Sequence, residues 1–278
     1  MTQGIGAATL RRVAVTATAA LAVAAGVMGC TDQQERSAAS APSSTAPPSP
    51  AMSAKETLLA SVPDGSEGPF RFSGRDGSST VSGNVDPAAK GLHLTTAHKD
   101  PEHGFTLTMA FLFIEDQLWV RIRFTGTEGL TGLPKLPDKW LKLDPSRLTD
   151  GESAPRYDGP DPGNAGPLIE AATSVEHQGG GRYRGVIDLT AANAGKALDD
   201  DERIAALGSA AKRVPFTAVV GSDRKLASLV LNVPAAGAAK AYQYVVNYRD
   251  YGGAPRLAVP QGSAAEPAPP IAYEILNG

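Results

Sequence analysis

The chain has 278 residues, 26 of them Lys or Arg and 29 Asp or Glu, for a formal net charge of −3, and it holds a single cysteine. The mildly acidic balance speaks against a nucleic-acid-binding surface, and one cysteine excludes an intrachain disulfide and a multi-thiolate metal site. The length suffices for a self-supporting core, because a domain above about 200 residues buries roughly 70% of the surface its unfolded chain exposes.

At the N-terminus Arg11 and Arg12 precede an uncharged, weakly apolar run, "VAVTATAALAVAAGVMG" at 13–29. A basic start, a short apolar middle and small residues at the end are the layout of a secretory signal. The run is shorter and less apolar than the ~20 residues a transmembrane helix needs. The residues around the arginine pair, "TLRRVAV", fit ordinary secretion better than twin-arginine export. Val27, Met28, Gly29 and Cys30 resemble the lipobox of bacterial lipoproteins, which implies diacylation of Cys30 and cleavage before it. Loss of residues 1–29 would take the formal charge from −3 to −5, since that segment carries two arginines and no acid. Several acyl chains hold a protein stably where one holds it marginally. The expected location is therefore the extracytoplasmic face of the cell membrane, with a lipid anchor, and no thiol left for catalysis. Residues 30–53, rich in Ser, Ala and Pro, read as a disordered tether, with a coil dimension on the order of 25 Å. Residues 54–278 read as a single domain with a Pro-rich tail after Gln261.

The domain opens on "AKETLLASV", a short helix, followed by strand-like "FRFSG" and "STVSGNVD". The clearest element is "FTLTMAFLFIEDQLWVRIRFTG". Phe105, Leu107, Met109, Phe111 and Phe113 alternate with threonines; beyond Glu115 and Asp116, Leu118, Val120, Ile122 and Phe124 alternate with Arg121 and Arg123. This predicts a hairpin with one apolar and one solvated face, and puts Trp119 on the solvated side. "KWLKLD" reads as a short strand, residues 149–167 as a long surface loop, and "PLIEAATSV" as a helical turn. "RYRGVIDLT" alternates as a strand after "QGGGR", a hairpin turn. "DDDERIAALGSAAKR", acidic at its start and basic at its end, has the charge order of a helix. "VPFTAVVGSDRKLASLVLNVP" and "KAYQYVVNYRDYG" supply three more antiparallel strands.

The fragments "DQLWVRIRF", "DKWLKLDPSRL", "RYRGVIDLTAA", "VPFTAVVGSDRKLASLVLNVP" and "YVVNYRDYGGAPRLAVP", in this order behind a lipobox and tether, resemble actinobacterial lipoproteins of the LppX/LprAFG group. The resemblance spans residues 55–260. It implies an α+β, LolA-like fold: a strongly curved antiparallel half-barrel whose concave face is covered by helices. It also implies an apolar space that accepts acyl chains, and a carrier or sensor without covalent chemistry. The glycine-rich segment 150–167 and the tail after Gln261 depart from a simple match, and the former could alter or block a cavity mouth.

Other chemistry fares worse. Ser209 and Lys212 make an S-x-x-K pattern, but no K-T-G follows and Ser222 begins only a partial second motif. His93, His98 and His103 lie near Asp100 and Glu102, yet an odd spacing in a strand turns His93 and His98 to opposite faces. His177 is isolated. Acids 199–202 suit a helix start better than paired catalytic carboxylates. We expect no enzyme, metal or cofactor. The expected function is binding or transfer of a lipid or other lipophilic molecule by Leu107, Met109, Phe111, Val120, Ile122 and Phe124. The alternative is a ligand-free interaction or sensory lipoprotein contacting an envelope or membrane protein. Periodicity alone cannot separate a lined cavity from a packed core.

Overall fold

A computed structural model of the chain describes residues 52–76, 79–149, 155–198 and 200–277. The signal segment, Cys30 and all but the last two residues of the tether lie outside the described residues. The first helix, α1 (Ala54–Leu59), begins where "SAKE" forms a capping box: Glu56 N–H donates to Ser53 Oγ, and Ser53 N–H to Glu56 Oε2. Strands β1 (Phe70–Asp76), β2 (Ser79–Asp86), β3 (Gly91–Lys99), β4 (Thr106–Ile114), β5 (Gln117–Thr125) and β6 (Trp140–Leu143) follow. After α2 (Ala165–Glu170) come β7 (Ala172–Gly179) and β8 (Arg182–Ile187), then α3 (Ala194–Leu198) and α4 (Asp201–Leu207). The chain ends with β9 (Val214–Val220), β10 (Leu226–Val233), β11 (Tyr242–Arg249), β12 (Ala265–Pro267) and α5 (Pro270–Asn277).

All twelve strands form one sheet in the order β12-β6-β5-β4-β3-β2-β1-β11-β10-β9-β8-β7. It is two meanders zipped together where β1 pairs with β11, and it stays open, ending at β12 and β7. Every pairing is antiparallel except that of β12 with β6. The α+β class and the antiparallel sheet thus agree with the sequence reading.

Alternation fixes which side is buried. The register sets Phe72 opposite Tyr248, Val246 opposite Leu229, and Leu231 opposite Phe216, so these side chains share one face. That face carries the main core, in which Leu58 of α1, Leu168 and Ile169 of α2, Ala194 of α3 and Leu207 of α4 pack with the strands. A second cluster, on the same face of β5 and β6, is built from Leu118, Val120, Ile122, Leu141 and Leu143 with Ala268, Ala272 and Tyr273. At about 25 cal/mol per Å² of apolar area, this one-sided burial is the principal stabilising term.

Two strand glycines mark close approaches. Gly83 faces Phe72 across the ladder and Gly185 faces Phe216. A Cβ at either position would run into the phenylalanine ring and into a neighbouring strand's carbonyl, that of His93 or of Ser174. Each ring instead covers bare backbone, the pairing that compensates a strand glycine. We expect Gly83→Ala and Gly185→Ala each to destabilise the domain by about 2–3 kcal/mol, read as a lowered urea midpoint with an unchanged slope.

Candidate functional site

The β4–β5 hairpin forms as its alternation predicts, turning at Glu115 and Asp116. Across the ladder Leu107 meets Phe124, Met109 meets Ile122, Phe111 meets Val120 and Phe113 meets Leu118. All six residues expected to bind a ligand therefore lie on one face, brought together by register alone. They are not covered equally. Val120 and Ile122 are 0% and 3% exposed, whereas Leu107, Met109, Phe111 and Phe124 are half-buried. The Phe105 ring stands 5.8 Å from that of Phe124, extending the apolar row toward the strand end.

Much of the cover comes from the Pro-rich tail after Gln261. The Pro-rich segment forms β12 on the edge of β6 and then α5, whose Ala272 and Tyr273 pack in the same cluster as Val120 and Ile122. The attachment is polar as well as apolar. Asp144 N–H donates to Tyr273 Oη at 2.8 Å, and the Arg147 guanidinium lies 3.8 Å from the centre of the tyrosine ring. Asn277 accepts from Thr149 N–H and donates to the Arg147 carbonyl.

Over the other half of the sheet, the segment expected to be a surface loop is in part a packing element. Residues 150–154 lie outside the described residues, but Tyr157 packs on the main core. Tyr244 Oη donates to the Gly163 carbonyl at 2.9 Å, Tyr248 Oη donates to the Asp161 carboxylate, and Gly166 N–H donates to its other oxygen. Gly163 sits so close to Val246 and Tyr248 that a side chain there would collide with both. The tyrosines on β11 are what the chain pattern could have revealed, since a row of phenols facing the core needs acceptors. Burial pushes both phenols well above their ordinary range and raises the Asp161 carboxyl, against the hydrogen bonds that favour its charged form.

Trp119, on the expected solvated side, is 2% exposed. Leu257, Val259 and Ala265 cross that side of the sheet and pack over Trp119, Leu112 and Ile114. An open cleft of about 560 Å³ lies at this edge, between Trp119, Lys142, Arg147, Gln261 and Tyr273. None of the six apolar residues lines it. His93 and His98 fall on opposite faces: His93 stands edge-on to Trp140, and His98 is opposite Leu107. Burial, with Arg121 nearby, lowers the His93 pKa. Ser209 and Lys212 are exposed in a 3₁₀ turn (Gly208–Arg213) that follows α4. Of the acidic run, Asp200 caps α4 by accepting from Arg203 N–H, and Asp199 lies outside the described residues. Among the described residues no three His, Cys, Asp or Glu side chains converge as a metal site would require, and no helix is long and apolar enough to cross a membrane. No protein-family model matches the chain, and no curated protein matches it.

Truncation after Pro269 should uncover Val120, Ile122 and Leu141 and raise the fluorescence of a hydrophobic dye several-fold, while Tyr273→Phe should cost about 1 kcal/mol by leaving Asp144 N–H without its acceptor. Because Asp161 titrates above its unfolded value, the folded protein keeps a proton that the unfolded chain releases, and the stability contributed by this group falls as pH rises from about 4 toward neutrality. Urea unfolding should therefore show wild type losing stability relative to Asp161→Asn over that interval.

Proposed function

We propose that the protein is a lipid-anchored extracytoplasmic lipoprotein, acylated at Cys30, whose apolar sheet face binds or transfers a lipid or other lipophilic molecule without covalent chemistry. The observation that carries this reading is the row Leu107, Met109, Phe111 and Phe124. These are four large apolar side chains side by side on β4 and β5, packed against the second core yet still partly open. An acyl chain laid along them would complete the burial that α5 begins, and apolar contact would drive the binding.

In this reading the sheet is a LolA-like half-barrel, with the helices and α5 lining its concave side. The single open sheet, its one-sided core and the close approaches at Gly83 and Gly185 support that geometry. One observation favours the second reading, a ligand-free interaction or sensory lipoprotein. Val120 and Ile122 are already filled over by the chain's own C-terminus, so part of the face needs no guest.

The test is to purify the mature chain from its native membrane, extract it and identify bound lipid by mass spectrometry, then to titrate a fluorescent fatty acid. We expect stoichiometric lipid, and at least a tenfold weaker affinity for Met109→Asp or Phe111→Asp, since a charge in the row opposes burial of a chain. Protein free of lipid that also fails to take up the fatty acid, with a stoichiometric protein partner cross-linked in cells, would establish the second reading.

A further inference from the structure

The face of the sheet turned away from the main core gathers positive charge in a protein that is acidic overall. Arg71 and Arg75 of β1 and Arg249 of β11 meet at the seam between the two meanders, with Arg71 directly opposite Arg249. Arg182 and Arg184 of β8 lie toward one end of the sheet, and Arg121 and Arg123 of β5 with Lys142 of β6 toward the other. Alternation puts all of these side chains on the same face, since the residues between them belong to the two core clusters.

The exposed carboxylates that reach this face are too few to neutralise it; Asp86 also lies on it but is buried, with the Arg256 guanidinium 3.9 Å away. Asp250 is shared between Arg71 at 3.2 Å and Arg249 at 3.4 Å. Asp138 is shared between Arg123 at 2.7 Å and Arg121 at 3.9 Å, and Glu176 serves Arg184. Among the described residues Arg75 donates to the neutral amide of Gln243, and Lys142 to that of Gln117. Arg182 is exposed on the β7–β8 turn side. Between the cations the register lines up Ser228, Asn247, Ser73, Ser82 and Thr95 across five neighbouring strands. These short hydroxyl and amide side chains leave room for a flat array of anionic groups and offer it hydrogen bonds. Leu257, Val259 and Ala265 cover the part of this face around Trp119 and Trp140; outside it Val219, 38% exposed, adds an apolar contact that suits a headgroup layer.

We propose that this polar face docks on anionic phospholipid headgroups of the membrane that holds the anchor. The choice of a membrane as occupant rests on the anchored reading given above, and two features carry it. One is charge complementarity. The other is the anchor itself: acylation at Cys30, as proposed, keeps the domain beside the bilayer, so this face meets it at high effective concentration and even a weak surface attraction orients the domain.

The experiment uses the mature chain, residues 30–278, with Cys30→Ser, so that no acyl chain contributes. Sedimentation is measured with vesicles of phosphatidylcholine alone and with about a third phosphatidylglycerol. We expect binding to the anionic vesicles only, suppressed by about 0.5 M salt and weakened at least about tenfold in Arg75→Glu/Arg182→Glu. If that variant unfolds at a lower midpoint, Arg182→Gln/Lys142→Gln removes charge without repulsion and should weaken binding in the same direction. Equal binding to neutral vesicles, or binding untouched by both variants, overturns the proposal. So does capture by soluble poly-glutamate in the absence of vesicle binding, which would assign the face to an acidic polymer. Vesicle binding that survives charge reversal but fails in Met109→Asp would be uptake by the apolar row, and also overturns it. Failure of Cys30 to be acylated in cells leaves this result unchanged and bears on the anchor alone.

Discussion

An open antiparallel sheet with one apolar face has no second sheet to bury it against, and most of this structure is a response to that constraint. From β7 to β6 the inward residues form a nearly continuous apolar surface, while their outward neighbours are largely Ser, Thr, Asn and Arg, apart from the patch of Leu112, Ile114 and Trp119 under the 254–265 strap. Cover must come from elsewhere in the chain. It is drawn from three places: the short helices α1–α4, the loop holding Asp161 and Gly163, and the C-terminal α5. None of these helices exceeds eight residues, so none would persist alone in water. Each exists because the sheet gives it a place to pack.

The arrangement gives the two halves of the sheet different characters. Over β11 and its neighbours the cover is tied down by hydrogen bonds from Tyr244 and Tyr248, and Lys55 Nζ holds α1 to the carbonyls of Glu170 and Ala172. Over β4–β6 the cover is α5 with Leu136 and Leu148, and Leu107, Met109, Phe111 and Phe124 remain half open. Phe113 touches both clusters and joins them. A lipophilic guest would gain most where the chain's own cover is thinnest, and that place is the β4–β5 row.

Much of this was legible in the sequence. Strict alternation from Phe105 to Phe124 carries both the strands and their faces, because a two-residue period leaves no other choice. The capping box at Ser53 and the glycines of "QGGGR" are local signals, and local structure follows them. The covering segments were harder to read. "PAPPIAYEILN" is short and proline-rich, and its helix is fixed by contacts with β6 and Arg147 rather than by propensity. Residues 155–164 are turn-like in composition, and only the phenols of β11, far away in the chain, decide that they lie inward. Trp119 sits at an outward position, and its burial depends on a strap from residues 254–265 that carries no periodic pattern. The candidate row itself was found by alternation, but which of its members stay open depends on α5, and so on the fold.

The central claim is that the open part of this face holds a lipophilic chain. The most direct measurement is photolabelling of the mature protein with a diazirine-bearing fatty acid, followed by peptide mapping of the adducts. The account predicts that adducts concentrate on residues 105–124 and on α5 and are competed away by unlabelled lipid. Adducts spread over the polar face, or confined to the edge cleft beside Trp119 and Lys142, would contradict it.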